Sequence, residues 1–263
     1  TAVLADHRLL DLEPGDTRAQ LFGVAFDIGT TTLVGTLIRL TDGLELAVAA
    51  RMNPQTSFGD DVVTRILKCR SEPEGVAVLQ KAVLDAVRAL LAELGAAAGI
   101  DRHHIHEVVF AGNTTMQQIL LGVDPSPLGE LPFHPAFRQG ISGRASELGL
   151  TLHPEALFYV FPQIGGFVGG DTVSGILATR MEEFPETTLL VDIGTNGEIV
   201  LAHQGRLTAT SVAAGPAFEG ARIVNGMRGA AGAIERVTFD TDARWTTIGG
   251  ERPMGLCGTG LID

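Results

Sequence analysis

The residues best suited to chemistry lie in two short stretches of one design. In the first, Val24-Ala25-Phe26 leads to Asp27-Ile28-Gly29-Thr30-Thr31-Thr32, and a second apolar run follows from Leu33 to Leu40. In the second, Leu189-Leu190-Val191 leads to Asp192-Ile193-Gly194-Thr195-Asn196-Gly197, ahead of Glu198-Ile199-Val200. The two aspartates stand 165 apart (192 − 27). Phosphate loops commonly run from a strand into a helix, but both flanks here are β-rich, so the expected element is a tight β-hairpin. Gly29 lets a ligand approach the backbone, because it has no Cβ. Successive N–H groups and the threonine hydroxyls can then hold anionic oxygens. A carboxylate beside such an anion needs a cation between them. Mg²⁺, which binds through one or two carboxylates, waters and phosphate oxygens, meets that need at Asp27. The repetition points to an internal duplication; two ordinary hairpins with Gly-Thr turns are the alternative.

Three further places carry polar groups of interest. Ala111-Gly112-Asn113-Thr114-Thr115-Met116 follows a short buried strand, Glu107 to Phe110, and opens a helix at Met116–Leu121. Asn113 there is either a contact for an anion or a ribose, or, with Thr114, simply the helix cap. Gly165-Gly166-Phe167-Val168-Gly169-Gly170-Asp171 leads into a helix with Val173, Ile176, Leu177 and Met181. The glycines allow a close backbone crossing, and Asp171 would order a water for attack on a phosphoryl group; an N-cap aspartate is the alternative. His103, His104 and His106 form a tract without Cys or carboxylate partners at ligand spacing. A solvated turn is the reading adopted for it, with a metal site as the alternative.

The elements that must position these groups follow from periodicity. Residues 1–20 read as an irregular linker. Residues 22–27, 32–40 and 44–50 read as three antiparallel strands, with Asp42-Gly43 as a turn. Asp60 or Ser57 caps a helix carrying Val62, Val63, Ile66 and Leu67. A second helix carries Val76, Leu79, Val83, Val87, Leu90, Leu91 and Leu94, with Gly95 as its stop. Residues 122–140 form a proline-rich loop, Tyr159 to Gln163 a strand, and 206–212 the third strand of the second hairpin unit. Gly215 to Gly220 starts a short helix carrying Ile223 and Val224, after which Ala233 to Phe239 and Trp245 to Ile248 resume a β pattern.

Composition narrows the function classes. Hydrophobic residues make up 45% of the 263, enough for a full core. Aromatics are only 5% and the net charge is −12, which argues against nucleic acid as a partner. No apolar run is long enough to span a membrane, and no signal peptide is visible. Cys69 and Cys257 read as reduced thiols, which points to the cytoplasm. The chain begins at Thr1 and stops in Gly258-Thr259-Gly260-Leu261-Ile262-Asp263, a nascent helix. Sequence missing on both sides is therefore expected.

The paired Asp-Ile-Gly-Thr stretches resemble the two phosphate motifs of the superfamily of acetate and sugar kinases, the heat-shock ATPases and actin. The Gly170-Asp171 helix resembles its first connecting motif. Asn53-Pro54-Gln55, Gly59-Asp60-Asp61-Val62-Val63-Thr64-Arg65-Ile66, Ala111 to Met116 and Cys257 to Asp263 narrow the resemblance to the ATP-dependent reductive activators of corrinoid proteins. It covers the chain from about residue 20 to the end. It implies an α/β, duplicated ribonuclease-H-like (actin-like ATPase) fold with mixed sheets: a linker at 1–20, a first lobe at 21–185 and a truncated second lobe at 186–263. It implies ATP and Mg²⁺ as cofactors, a [2Fe-2S] ferredoxin-like module upstream, and a corrinoid protein as partner, reduced from Co(II) to Co(I) with ATP hydrolysis supporting the uphill step. By the same resemblance, Asp27 and Asp192 act on Mg²⁺. Gly29, Thr30, Thr31, Thr32, Gly194, Thr195, Asn196, Gly197 and Asn113 hold the nucleotide, and Asp171 joins Asp27 as a catalytic residue. A homodimer is left open. The rival readings are a small-molecule kinase on the same fold, a non-catalytic nucleotide-binding interaction module, and the iron–sulfur activators of acyl-CoA dehydratases, for which Cys69 and Cys257 offer no cluster arrangement.

Overall fold

The computed structural model describes residues 1–5, 7–194, 196–213, 224–227, 229–239 and 242–262. The chain divides into two compact units, Thr1–Thr179 and Arg180–Asp263. It forms an α/β fold with mixed sheets, consistent with an actin-like ATPase.

The first unit is built on a six-stranded sheet. Its strands are β3 (Phe22–Ile28), β4 (Thr32–Arg39), β5 (Leu44–Met52), β6 (Ile105–Gly112), β7 (Ile141–Arg144) and β8 (Leu157–Val160), in the order β5-β4-β3-β6-β8-β7. β6 runs parallel to both β3 and β8, and the other neighbours are antiparallel. Strand alternation separates two faces. Val24, Phe26 and Ile28 of β3 are buried, while Ala25 and Asp27 between them are exposed. The helices of this unit are α1 (Val62–Ser71), α2 (Gly75–Ala98), α3 (Thr114–Leu120) and α4 (Gly170–Thr179). α2 lies on β4 and β5 and puts Val83, Val87, Leu90 and Leu94 into the core, each fully buried. Each such side chain contributes about 1.5–3 kcal/mol. Phe26 and Phe110 stack in that core at 5.3 Å.

Several local expectations change. Residues 1–20 are not irregular: β1 (Ala2–Ala5) and β2 (Arg8–Leu12) pair as an antiparallel hairpin. The cap of α1 is Asp61, which accepts the Thr64 N–H at 2.7 Å, and neither Asp60 nor Ser57. α2 does not stop at Gly95, which is buried inside it; Gly99, at φ 65°, takes the left-handed position that ends the helix. Asn113, not Thr114, caps α3.

The second unit holds a three-stranded antiparallel sheet of β9 (Thr188–Ile193), β10 (Asn196–His203) and β11 (Arg206–Ala213), in the order β11-β10-β9. This repeats the meander of β5-β4-β3. A second small sheet joins β12 (Ala233–Phe239), β13 (Ala243–Thr247) and β14 (Gly255–Leu256), with α5 (Gly258–Ile262) against β12. The helix expected from Gly215 to Val224 lies almost wholly outside the described residues. Among the described residues no helix is long and apolar enough to cross a membrane.

Candidate functional site

The tip of the first hairpin is tied down from one side. Gly29 to Thr32 lie between the paired residues Ile28 and Leu33. A Cβ on Gly29 would stand 2.5 Å from the Thr32 carbonyl oxygen, so only glycine closes this turn. The Gly29 carbonyl accepts from Asn53 Nδ2 at 2.9 Å, that of Thr30 from Arg65 Nη2 at 2.6 Å, and that of Thr31 from the Asn53 N–H at 2.8 Å. In a trans peptide the N–H points opposite to the C=O. The peptide hydrogens of Thr30, Thr31 and Thr32 are therefore turned away from these donors.

Arg65, behind the tip, was not singled out by inspection of the sequence. It is completely buried. Besides Thr30, it donates to the Gly59 carbonyl and to Gln55 Oε1, both at 3.1 Å. Among the described residues no carboxylate lies within ion-pair distance of it. Burial pushes its pKa down to about 10 against the more distant pull of Asp61 and Asp60, and the group stays charged at neutral pH. A buried cation thus sits directly behind the turn. The signal was present: Arg65 falls on the stripe Val62-Ile66-Cys69 of α1, where an apolar residue belongs.

The parallel pairing of β3 with β6 sets Asp27 beside Ala111 and Ile28 beside Gly112. The β6–α3 junction therefore reaches the hairpin tip. Asn113 Oδ1 accepts the Met116 N–H at 3.0 Å, and its Nδ2 donates to Thr30 Oγ1 at 2.9 Å. Asn113 thus caps α3 and also touches the tip through the Thr30 hydroxyl. The glycine passage before Asp171 crosses at the same place. A Cβ on Gly169 would stand 2.6 Å from Asn113 Cα, Gly112 O and Thr114 N. Gln117 fastens the crossing: its Nε2 donates to Phe161 O, and its Oε1 accepts from Gln163 Nε2 and the Gly170 N–H. Asp171 is not the N-cap. It lies inside the first turn of α4, half-buried, and accepts the Thr172 N–H at 2.7 Å. Asp27, Thr30, Asn113 and the start of α4 thus gather at the carboxyl ends of parallel strands, where open α/β sheets bind ligands. A cavity of about 470 Å³ opens on the same sheet face, lined by Asp27, Ala25, Thr36, Phe161 and Ser174 among others.

The second hairpin is not an identical copy. Gly194 to Asn196 span the gap between the paired residues Ile193 and Gly197, one residue fewer than at the first tip. As a result Asp192 stands opposite Glu198, whereas Asp27 stands opposite Val34. Glu198 is buried and accepts from Ser211 Oγ at 3.0 Å. Burial, and then the charge of Asp192, raise its pKa; desolvation of the Asp192 carboxyl raises that of Asp192 as well, although the residue as a whole is exposed. Asn196 accepts the Gly194 N–H at the tip, and Gly197 is buried in the ladder. Thr195 lies outside the described residues.

The profile of the RACo middle region matches residues 22–184, and that of the C-terminal domain of RACo, the ASKHA domain, matches residues 186–263. The chain belongs to the RACo family. The solved structure of a reductive activator for corrinoid,iron-sulfur protein superposes on 97% of this chain with a TM-score of 0.89 and 40% identity. The corrinoid activation enzyme RamQ of Eubacterium limosum is 34% identical over 263 residues, 99% of this chain. The [Co(II) methylated amine-specific corrinoid protein] reductase of Methanosarcina barkeri is 26% identical over 255 residues, 92% of this chain. The chain spans less than half the length of these relatives: 41%, 44% and 45% respectively.

Proposed function

We propose that this chain is the nucleotide-binding ATPase part of a reductive activator of corrinoid proteins. The observation that carries the proposal is the first hairpin tip. Three carbonyls are held inward, a buried guanidinium with no described carboxylate at ion-pair distance lies behind them, and Asp27 stands at the edge of the adjoining cavity. The names of the relatives, an activator of a corrinoid,iron-sulfur protein and a Co(II) corrinoid protein reductase, support the wider activity. The division into a lead-in at 1–20 and lobes at 21–185 and 186–263 is supported by the meeting of the two family profiles between residues 184 and 186.

The residues present fit Mg²⁺-ATP. The amides and hydroxyls of Gly29, Thr30, Thr31 and Thr32 would hold phosphate oxygens, with Asn113 fixing the Thr30 hydroxyl. Asp27 would hold Mg²⁺ through water. In the second unit, Asp192, Gly194, Thr195, Asn196 and Gly197 would form the corresponding phosphate motif of that unit's own hairpin. Bound Mg²⁺-ATP supplies a phosphoryl bond whose hydrolysis supports reduction of a Co(II) corrinoid. Asp171 orients the attacking water and takes up its proton. The residues do not fit a [2Fe-2S] cluster. Such a cluster takes four thiolates, and this chain has two cysteines, both buried and in different units. No electron-transfer step is assigned to them. As free thiols they favour a cytoplasmic setting.

The test uses the full-length protein. Asp27→Asn is expected to weaken Mg²⁺-dependent ATP binding by on the order of tenfold or more, measured by titration. Asp171→Asn is expected to keep binding and slow hydrolysis by about 10²–10⁴-fold. Both variants should slow ATP-dependent formation of Co(I) in a corrinoid protein, followed by its absorbance. Unchanged binding in the first variant and unchanged hydrolysis in the second would remove the reading.

A further inference from the structure

We propose that Glu13, His106 and His153, with Asp11 at the rim, form a binding site for a borderline divalent cation such as Zn²⁺. The cluster lies in the first unit, away from the hairpin tip, and joins three separate segments: the stretch after β2, the start of β6, and the turn before β8. Both histidines are buried, and one ligand atom from each of Glu13, His106 and His153 lies within 4.8 Å of the others. Of the His103-His104-His106 tract, only His106 turns inward. His103 and His104 belong to a surface turn, as a solvated reading requires. The carboxylate partner missing at sequence spacing arrives from residue 13.

The protonation geometry is what calls for a cation. His106 Nδ1 lies 2.9 Å from the His104 carbonyl, which only an N–H can satisfy. In a neutral ring Nε2 is then a bare lone pair, and it faces Glu13 Oε1 at 3.2 Å. Two acceptors at that distance repel unless something positive stands between them. The other carboxylate oxygen of Glu13 already accepts from the Thr17 hydroxyl. Both groups therefore have their outer atoms fixed by hydrogen bonds and their inner atoms aimed at one point. That is how ligands are oriented around a metal.

The spacing fits as well. A tetrahedral zinc with N and O ligands at about 2.0–2.2 Å has ligand–ligand edges of roughly 3.3–3.6 Å. His106 Nε2 to Glu13 Oε1 is 3.2 Å, His153 Nε2 to Glu13 Oε1 is 3.8 Å, and His153 Nε2 to Asp11 Oδ2 is 3.2 Å. Two imidazoles and two carboxylates suit Zn²⁺ better than Mg²⁺, which prefers oxygen donors in octahedral array. One local contact must change. His153 Nδ1 accepts the Glu155 N–H at 3.2 Å. Binding through Nε2 moves the ring proton to Nδ1 and opens that contact. The bound ion would clasp the segment around Glu13 onto the start of β6 and the turn before β8.

The experiment strips the full-length protein with a chelator and titrates it with Co²⁺ as the visible probe, then with Zn²⁺ in competition. The wild type is expected to bind one equivalent more than Glu13→Gln or His106→Gln, with tetrahedral Co²⁺ bands that Zn²⁺ removes. Each ligand variant should weaken that equivalent by on the order of 100-fold, since loss of an outer partner alone costs 10–100-fold. The exposed neighbour His103→Ala should bind as the wild type does. On the wild type alone, Zn²⁺ should slow proteolysis within residues 1–20 and speed hydrogen exchange at the Glu155 amide. Equal Co²⁺ binding in wild type and both ligand variants would overturn the proposal. So would histidine ring resonances that follow pH but ignore Zn²⁺, which would give the cluster to a shared proton instead.

Discussion

Arg65 offers the sharpest test of how the hairpin tip is held. Arg65→Met keeps an unbranched stem of similar length inside the core and removes the guanidinium. Three oxygen acceptors lose their donor, the carbonyls of Gly59 and Thr30 and Gln55 Oε1, and the weaker contact to Met116 Sδ goes with them. A buried acceptor left without a partner costs about 1–3 kcal/mol, so the three amount to roughly 3–9 kcal/mol. Removing a desolvated charge returns several kcal/mol. The net loss is therefore about 2–4 kcal/mol. In a unit of this size about 1 kcal/mol corresponds to ~2–4 °C, so Tm should fall by roughly 5–15 °C in a calorimetric scan. Affinity for Mg²⁺-ATP should fall as well, by on the order of tenfold (about 1.4 kcal/mol), because the cation behind the turn is gone. Arg65→Lys separates the two effects: it restores charge without the planar fork, so affinity should recover more fully than Tm. If Arg65→Met melts with the wild type and binds nucleotide equally well, the buried cation does not organise the tip, and the reasoning fails.

Asn113→Ala removes a cap and a contact to Thr30 Oγ1 together, and should cost about 1–2 kcal/mol in denaturant unfolding. Gly169→Ala puts a methyl 2.6 Å from three backbone atoms of the 112–114 turn. It should destabilise by about 1–3 kcal/mol or more, and it should slow ATP hydrolysis by displacing Asp171. Glu198 titrates above the ordinary carboxylate range because it is buried and faces Asp192. The stability linked to a raised folded pKa is fully present below the unfolded value and is lost as pH rises through the folded one. Glu198→Gln should therefore flatten the fall in Tm between acid and neutral pH, and an unchanged pH profile would contradict the assignment.

Much of the framework was readable because it rests on local rules. Period-two alternation located β3, β4 and β5 within two residues at each end, and the three- and four-residue steps located α2. The glycine passage predicted a close crossing, and Gly169 and Gly170 make it, while Gly165 faces open space. What could not be read depends on long-range pairing. Asp61 outcompeted Asp60 for the α1 cap by a single position, which no composition rule resolves. Gly95 looked like a stop because it is a glycine, but it is held within α2 and the left-handed turn falls to Gly99. β1 and β2 are mostly exposed and pair with each other, so their pattern carries little core signal. The partnerships of Arg65 with Thr30, Asn53 with Gly29, and Glu198 with Asp192 join residues whose proximity is set by the sheet and its register.

Gln117 gathers three segments on one amide: the exit of β8, the chain at Gln163, and the first residue of α4. None of them can move off α3 without stranding a buried polar atom, so they open together or not at all. In hydrogen exchange the amides around Phe161 and Gly170 should behave as one cooperative unit with a common opening free energy. Any event that shifts the start of α4 would then be felt at Phe161 and Gln163, through the Gln117 amide that joins them.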